Sequence, residues 1–233
     1  LIRIRETYRL DSIAGSGSQA DRVINLMRWV HAAVRHDGNS TPPSPKNTFH
    51  LLQVCADSGR GLNCRMMSTV LNEAYLAMGF KARHLTCLPQ DTTDPDCHVI
   101  NMVWSDSLGK WLYMDPTNNA WFMNTRGEVL GPAEIRAAMI AGDSLVLNAD
   151  ADYNGSPVDP VQYKGYMAKN LFRFSVPLES AFNYESRDGD RVWIELNPVG
   201  YHTHQVGTAA TTSRATGRSV THYTDNAAWF WEH

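Results

Sequence analysis

Three residues have the types and order needed for nucleophilic acyl transfer: Cys64, His98 and Asp115. Cys64 stands where a helix should begin, behind Gly59, Gly61 and Asn63. A helix N-terminus presents unpaired N–H groups and a partial positive charge, and both favour thiolate over thiol. The thiolate is the nucleophile. His98 opens a β-branched, apolar run whose even-numbered residues, His98, Ile100, Met102 and Trp104, share one strand face. Asp115 closes the next run. If the hairpin pairs Trp104 with Trp111, Asp115 falls on the His98 face, one diagonal step away. A carboxylate there can fix the imidazole tautomer while the other ring nitrogen faces a thiol. The competing reading of the same residues is a structural cysteine, a satisfied core histidine and an aspartate ending a strand before proline.

The elements that must position these groups are legible from periodicity. Val23, Met27, Val30 and Val34 mark one buried helix face, with Ser18 as its cap and Gly38 beyond its end. Residues 37–47, with Gly38, Pro42, Pro43 and Pro45, form a loop. Met67, Leu71, Ala74 or Tyr75, and Met78 place a second helix over 64–78, stopped by Gly79. Strands follow at 80–87, 97–104 and 110–115, the last two joined by a hairpin loop. Pro132 starts a helix over 132–141, residues 143–160 are irregular, and further strands fall near 171–176 and 191–196.

Taken together, GLNCRMMSTVLNEAYLAMGFKARHLTC, CHVINMVW and KWLYMDPTN resemble the transglutaminase-like superfamily, a branch of the papain-like fold. Its pattern sets a nucleophilic Cys at the start of a helix that ends in Gly plus an apolar residue, here Gly79-Phe80. A strand opening with His follows, then a strand ending Asp-Pro-Thr after a Trp, here Asp115-Pro116-Thr117 after Trp111. Cys64 and His98 are 34 residues apart, and His98 and Asp115 are 17 apart. Gly61 stands one residue further from the Cys than in the Gly-x-Cys of many relatives. The resemblance covers about residues 20–145. It implies an α+β fold in which the nucleophile helix packs on an antiparallel sheet. The domain would span 1–150, and 151–233 would be a strand-and-loop extension packing on that core or extending its sheet. It implies cysteine-dependent acyl transfer or hydrolysis at an amide bond of a peptide, protein or other amide, with hydrolysis ahead of cross-linking and no cofactor or metal. The alternative is a non-catalytic peptide- or glycan-binding protein that keeps the fold. With a first residue other than Met, it also implies an exported bacterial protein, periplasmic or at the cell surface.

Oxyanion stabilisation calls for the Cys64 N–H and a side-chain donor from upstream, for which Gln53 and Asn63 are the candidates. Trp104, Trp111 and Trp121 are candidates for a substrate groove, or for packing under the hairpin. Cys97, next to His98, is a small core residue or a partner for Cys87. His202 and His204 share a strand face without an evident third ligand. A formal charge of −3 gives no broad attraction for nucleic acid, and no apolar run approaches the length of a transmembrane helix.

Overall fold

The computed structural model describes residues 1–187, 189–201, 207–213 and 217–232. His202 and His204 lie outside the described residues. Helices α1 (Ile2–Thr7) and α2 (Leu10–Ala14) lead into α3 (Gln19–Ala33), α4 (Thr48–Ser58) and α5 (Cys64–Ala77). Strands β1 (Ala82–Leu88), β2 (His98–Ser105) and β3 (Lys110–Met114) follow. The next segment holds β4 (Phe122–Met123), α6 (Pro132–Ala141), β5 (Val146–Leu147), β6 (Asp152–Tyr153) and β7 (Ser156–Pro157). The chain then runs through α7 (Pro160–Asn170), β8 (Arg173–Pro177), β9 (Arg191–Leu196), β10 (Gly207–Ser213), β11 (Gly217–Thr224) and α8 (Ala227–Glu232). The fold is α+β.

Each long helix begins where its side chains can satisfy the exposed N–H groups. Ser18 and Asp21 cap α3 reciprocally, and Asn63 caps α5 by accepting from the Met66 N–H at 3.0 Å. Gly79, at φ +82°, follows the end of α5 in a conformation that favours glycine. Eleven residues of α5 are buried, including the polar Asn72 and Glu73, so this helix runs through the interior rather than along the surface. The buried Glu73 carboxylate accepts from the Thr48 N–H and hydroxyl and from the Asn183 N–H, which binds α4 and a later loop to it.

One seven-stranded sheet, ordered β10-β11-β9-β8-β1-β2-β3, carries the rest. Its pairings are antiparallel except β9 with β11. The β2–β3 register sets Trp104 opposite Trp111 and Asn101 opposite Met114. Alternation then divides the core. Val103, Leu112 and Met114 face α3 and α5, whereas Ile100, Met102 and Tyr113 join Phe174, Met167 and Ile135 on the other face. Two polar bonds fix α5 along β2: the Ser68 hydroxyl donates to Val99 O at 2.8 Å, and Asn101 Nδ2 donates to Ser68 O at 3.0 Å. Ser68 is one turn beyond Cys64, so these bonds set the height of the thiol relative to the first residue of β2.

The chain before α5 is held as tightly. Leu62 and His36 form a parallel bridge, with Leu62 N–H donating to Arg35 O and Asp37 N–H to Leu62 O. The two segments approach so closely that a Cβ on Gly61 would lie 2.6 Å from Arg35 O and 2.7 Å from Asp37 Cβ. Gly61→Ala is therefore expected to push residues 35–37 off the segment leading into Cys64, at a cost of about 1–3 kcal/mol. Urea denaturation of the variant checks this through a lower midpoint at unchanged slope.

Candidate active site

His98 and Asp115 meet as the hairpin register requires. His98 Nε2 lies 2.7 Å from Asp115 Oδ2, and both side chains are buried. A buried carboxylate needs strong compensation, and Asp115 has it. Beyond His98, Oδ2 accepts from the Tyr163 hydroxyl at 2.7 Å and from Asn118 Nδ2 at 2.8 Å. Oδ1 accepts from the Thr117 N–H at 2.8 Å and the Asn118 N–H at 3.4 Å. Tyr163 is also within 2.6 Å of the Tyr113 hydroxyl. Burial alone would raise the Asp115 pKa; the His98 charge and hydrogen bond, with Tyr163 and Asn118, bring it below the ordinary carboxylate value.

The effect passes to His98. Burial disfavours its cation, but the Asp115 charge and hydrogen bond, joined by Cys64, raise its pKa well above the usual imidazole value. Tyr166 covers the ring edge-on at 5.6 Å between centroids. With Nε2 committed to Asp115, Nδ1 is the nitrogen left for the thiol.

Cys64 occupies the first residue of α5 and stays partly exposed. Burial pushes its pKa up. Hydrogen bonds from His36 and His98, the His98 charge and the Val99 N–H outweigh that and lower it to about 6, from an ordinary value of 9.0. The other three cysteines are shifted the opposite way, chiefly by burial, and all four are free thiols. Cys64 is thus the one cysteine held below its ordinary value, beside an imidazole held above its own.

The remaining expected residues are placed differently. Gln53 is exposed on α4, and its amide nitrogen donates to Asp57 at 2.7 Å. Asn63 is committed to its cap through Oδ1, while Nδ2 reaches Ser40 O at 3.4 Å. Trp104 and Trp111 stack edge-on at the far end of the hairpin. Six residues along a strand from His98 to Trp104 is roughly 20 Å, so neither ring is brought to the thiol. Trp111 is instead buried, with its indole N–H donating to Trp231 O. Trp121 packs in the core beside α3, with the Arg28 guanidinium 5.2 Å above its ring. Their aromatic character signals core as readily as groove, and here the core claims them.

Tyr163, Tyr166, Asn118 and His36 were not among the expected site residues. The two tyrosines sit on α7, in a stretch to which the sequence pattern assigns no element. Asp159 caps that helix by accepting from the Val161 and Gln162 N–H groups, and Pro160 fills its first position. That Asp-Pro pair, with Tyr163 and Met167 one turn apart, was the available signal.

Residues 7–116 match the model of the transglutaminase-like superfamily, a segment that contains Cys64, His98 and Asp115. This segment is a transglutaminase-like domain. Among solved structures, a candidate cysteine protease from Cytophaga hutchinsonii is 17% identical, with a TM-score of 0.40 over 67% of this chain and 54% of its own. A TGase is 16% identical, with a TM-score of 0.32 over 49% of this chain and 30% of its own. The arylamine N-acetyltransferase of M. tuberculosis is 11% identical, with a TM-score of 0.38 over 96% and 89%. The chain thus spans about half the length of the first of these and under a third of the second. No curated protein matches it. Among the described residues, no helix is long and apolar enough to cross a membrane, and no cluster of three His, Cys, Asp or Glu side chains is arranged to hold a metal.

Removing one Asp115 donor tests the compensation. A group whose pKa is lowered in the fold adds stability above its unfolded pKa, and loses it as pH falls through the folded value. Tyr163→Phe weakens that lowering and leaves the Tyr113 hydroxyl without its partner. The variant should lose about 1–3 kcal/mol at neutral pH and unfold at a higher pH than wild type on acid titration. Circular dichroism against pH reads both effects.

Proposed function

We propose that this protein is a cysteine-dependent acyl-transfer enzyme that cleaves an amide bond through a thioester on Cys64, with water as the acceptor ahead of an amine. The observation that carries the reading is a thiol at the N-terminus of α5, hydrogen-bonded to His98, whose Nε2 is 2.7 Å from a buried carboxylate. Membership of the transglutaminase-like superfamily supports cysteine-dependent chemistry in general. The substrate is a peptide, protein or other amide.

The Cys64 thiolate attacks the carbonyl carbon, forming the S–C bond and moving the C=O π electrons onto oxygen. Collapse of that oxyanion restores the carbonyl and breaks the C–N bond, and the leaving nitrogen takes the proton from the His98 imidazolium. His98, now neutral, accepts a proton from water as the water attacks the thioester, and Cys64 leaves as thiolate. Asp115 keeps the imidazole oriented and stabilises its charged form throughout. On this reading residues 1–150 form the transglutaminase-like domain and 151–233 an extension of it. The pairing of β8 with β1 and the contact of Tyr163 with Asp115 support reading 151–233 as an extension of the core sheet. An exported bacterial location belongs to the same reading.

Hydrolysis of a peptide and amide library by wild type, Cys64→Ala and Asp115→Asn tests the proposal. Cys64→Ala should abolish turnover. Asp115→Asn should reduce it by on the order of 10–10³-fold, less than in a serine triad because the Cys–His pair ionises before substrate arrives. Equal traces from wild type and Cys64→Ala would leave a binding protein that keeps the fold. Full activity in Asp115→Asn would make that residue a strand end only.

A further inference from the structure

A second imidazole, His36, is a partner of the thiol. His36 lies beyond the C-terminus of α3, in the segment that bridges Leu62, two residues before Cys64. Its backbone is clasped twice more: the His36 N–H donates to Asn154 Oδ1 at 2.8 Å, and Asn154 Nδ2 donates to His36 O at 3.0 Å. Its ring Nδ1 lies 2.9 Å from the Tyr153 hydroxyl, which leaves Nε2 for the Cys64 sulfur, where His36 is a hydrogen-bond partner. A half-exposed loop histidine is thus held by a strand bridge, an asparagine clasp and a tyrosine hydroxyl.

The orientation has a chemical consequence. A tyrosine hydroxyl is a donor as well as an acceptor. When it donates to Nδ1, that nitrogen is the acceptor and Nε2 is the one that carries the ring hydrogen. His98 cannot serve the same end, because its proton must travel to the leaving nitrogen. The side-chain donors expected from the sequence are engaged elsewhere, Gln53 Nε2 on Asp57 and Asn63 Nδ2 on Ser40 O. We propose that His36 is a catalytic residue of this site: its Nε2–H holds the resting Cys64 thiolate and, once the S–C bond has formed, stabilises the oxyanion on the adjoining carbon. Tyr153 acts through it as a positioning residue that fixes the tautomer. No proton leaves His36 in the cycle. Its hydrogen bond passes from sulfur to oxygen as the charge does, and returns when the C–N bond breaks. The inference rests on the acyl-transfer reading of Cys64.

The supporting chain is continuous with the carboxylate. Asn118, which donates to Asp115, accepts at its own carbonyl from the Asp152 N–H at 2.9 Å, and Asp152 precedes Tyr153 and Asn154. The β6–β7 turn therefore ties the two imidazoles into one frame.

The test uses iodoacetamide to titrate the thiolate and p-nitrophenyl acetate to read acylation as a burst of nitrophenolate. His36→Leu should raise the pH midpoint of Cys64 alkylation by about one unit and slow the burst by about 10²-fold. His36→Gln, which keeps a donor of similar reach, should recover most of the burst. Tyr153→Phe should shift both readouts less, in the same direction, with an unchanged melting temperature. Wild-type values of both readouts in folded His36→Leu would overturn the proposal. A shifted midpoint with an unchanged burst would overturn the oxyanion role. If His36→Leu does not fold, wild-type readouts in Tyr153→Phe and a His36→Gln burst as slow as the background ester reaction would each overturn it. A wild-type Cys64 that alkylates no faster than Cys55 would remove the acyl-transfer reading itself, and His36 with it.

Discussion

A fully buried carboxylate is tolerable only if every oxygen lone pair it presents is answered, and much of this structure serves that requirement at Asp115. Asp115 directly follows β3, where the chain turns back on itself so that the Asp115 N–H donates to Ala120 O and the Ala120 N–H donates to Asp115 O. That turn brings the Thr117 and Asn118 N–H groups round to Oδ1. It also places Asn118 Nδ2 on Oδ2 beside His98 and Tyr163. Loss of any of these leaves charge in a low-dielectric interior, where its cost is high. The carboxylate therefore selects the hairpin register, the turn and the placement of α7 together.

The thiol half of the site answers to a different constraint. Cys64 must remain accessible to a substrate yet sit where donors converge, and its helix provides for both. The buried length of α5 anchors the helix, Ser68 and Asn101 fix it along β2, and only its first turn reaches the surface. Gly61 lets residues 35–37 come against the approach to that turn. The sulfur thus meets three donors from two chain segments: His36 before α4, and His98 with the neighbouring Val99 N–H at the start of β2. Their sum overcomes burial, which at Cys87, joined by the Asp115 charge, pushes the thiol far in the other direction.

What could be read from the sequence follows from how local each signal is. The α3 and α5 faces, their caps, the hairpin and its register are local periodicities, and from them the meeting of His98 and Asp115 followed as geometry. His36 could not be placed that way. Its partner lies 28 positions on, across α4, and its clasp comes from Asn154, 118 positions away. Tyr163 and Tyr166 escaped because Gly165 breaks the helical pattern of α7 between them, so the Asp159-Pro160 start stood without an obvious helix behind it. The tryptophans misled for the opposite reason. An aromatic pair near a hairpin satisfies the pattern of a groove and of a core equally, and only the distance along β2 separates the two.

The central claim is that Asp115 keeps His98 protonated, so that the Cys64 thiolate forms beside a standing positive charge. An NMR titration of the His98 ring nitrogens measures this most directly. The account predicts an imidazolium with Nε2–H bonded to Asp115 that persists well above the ordinary imidazole range, perturbed near pH 6 as Cys64 ionises. A ring that loses its proton near its ordinary value, with Asp115 intact and no response to the ionisation of Cys64, would contradict it.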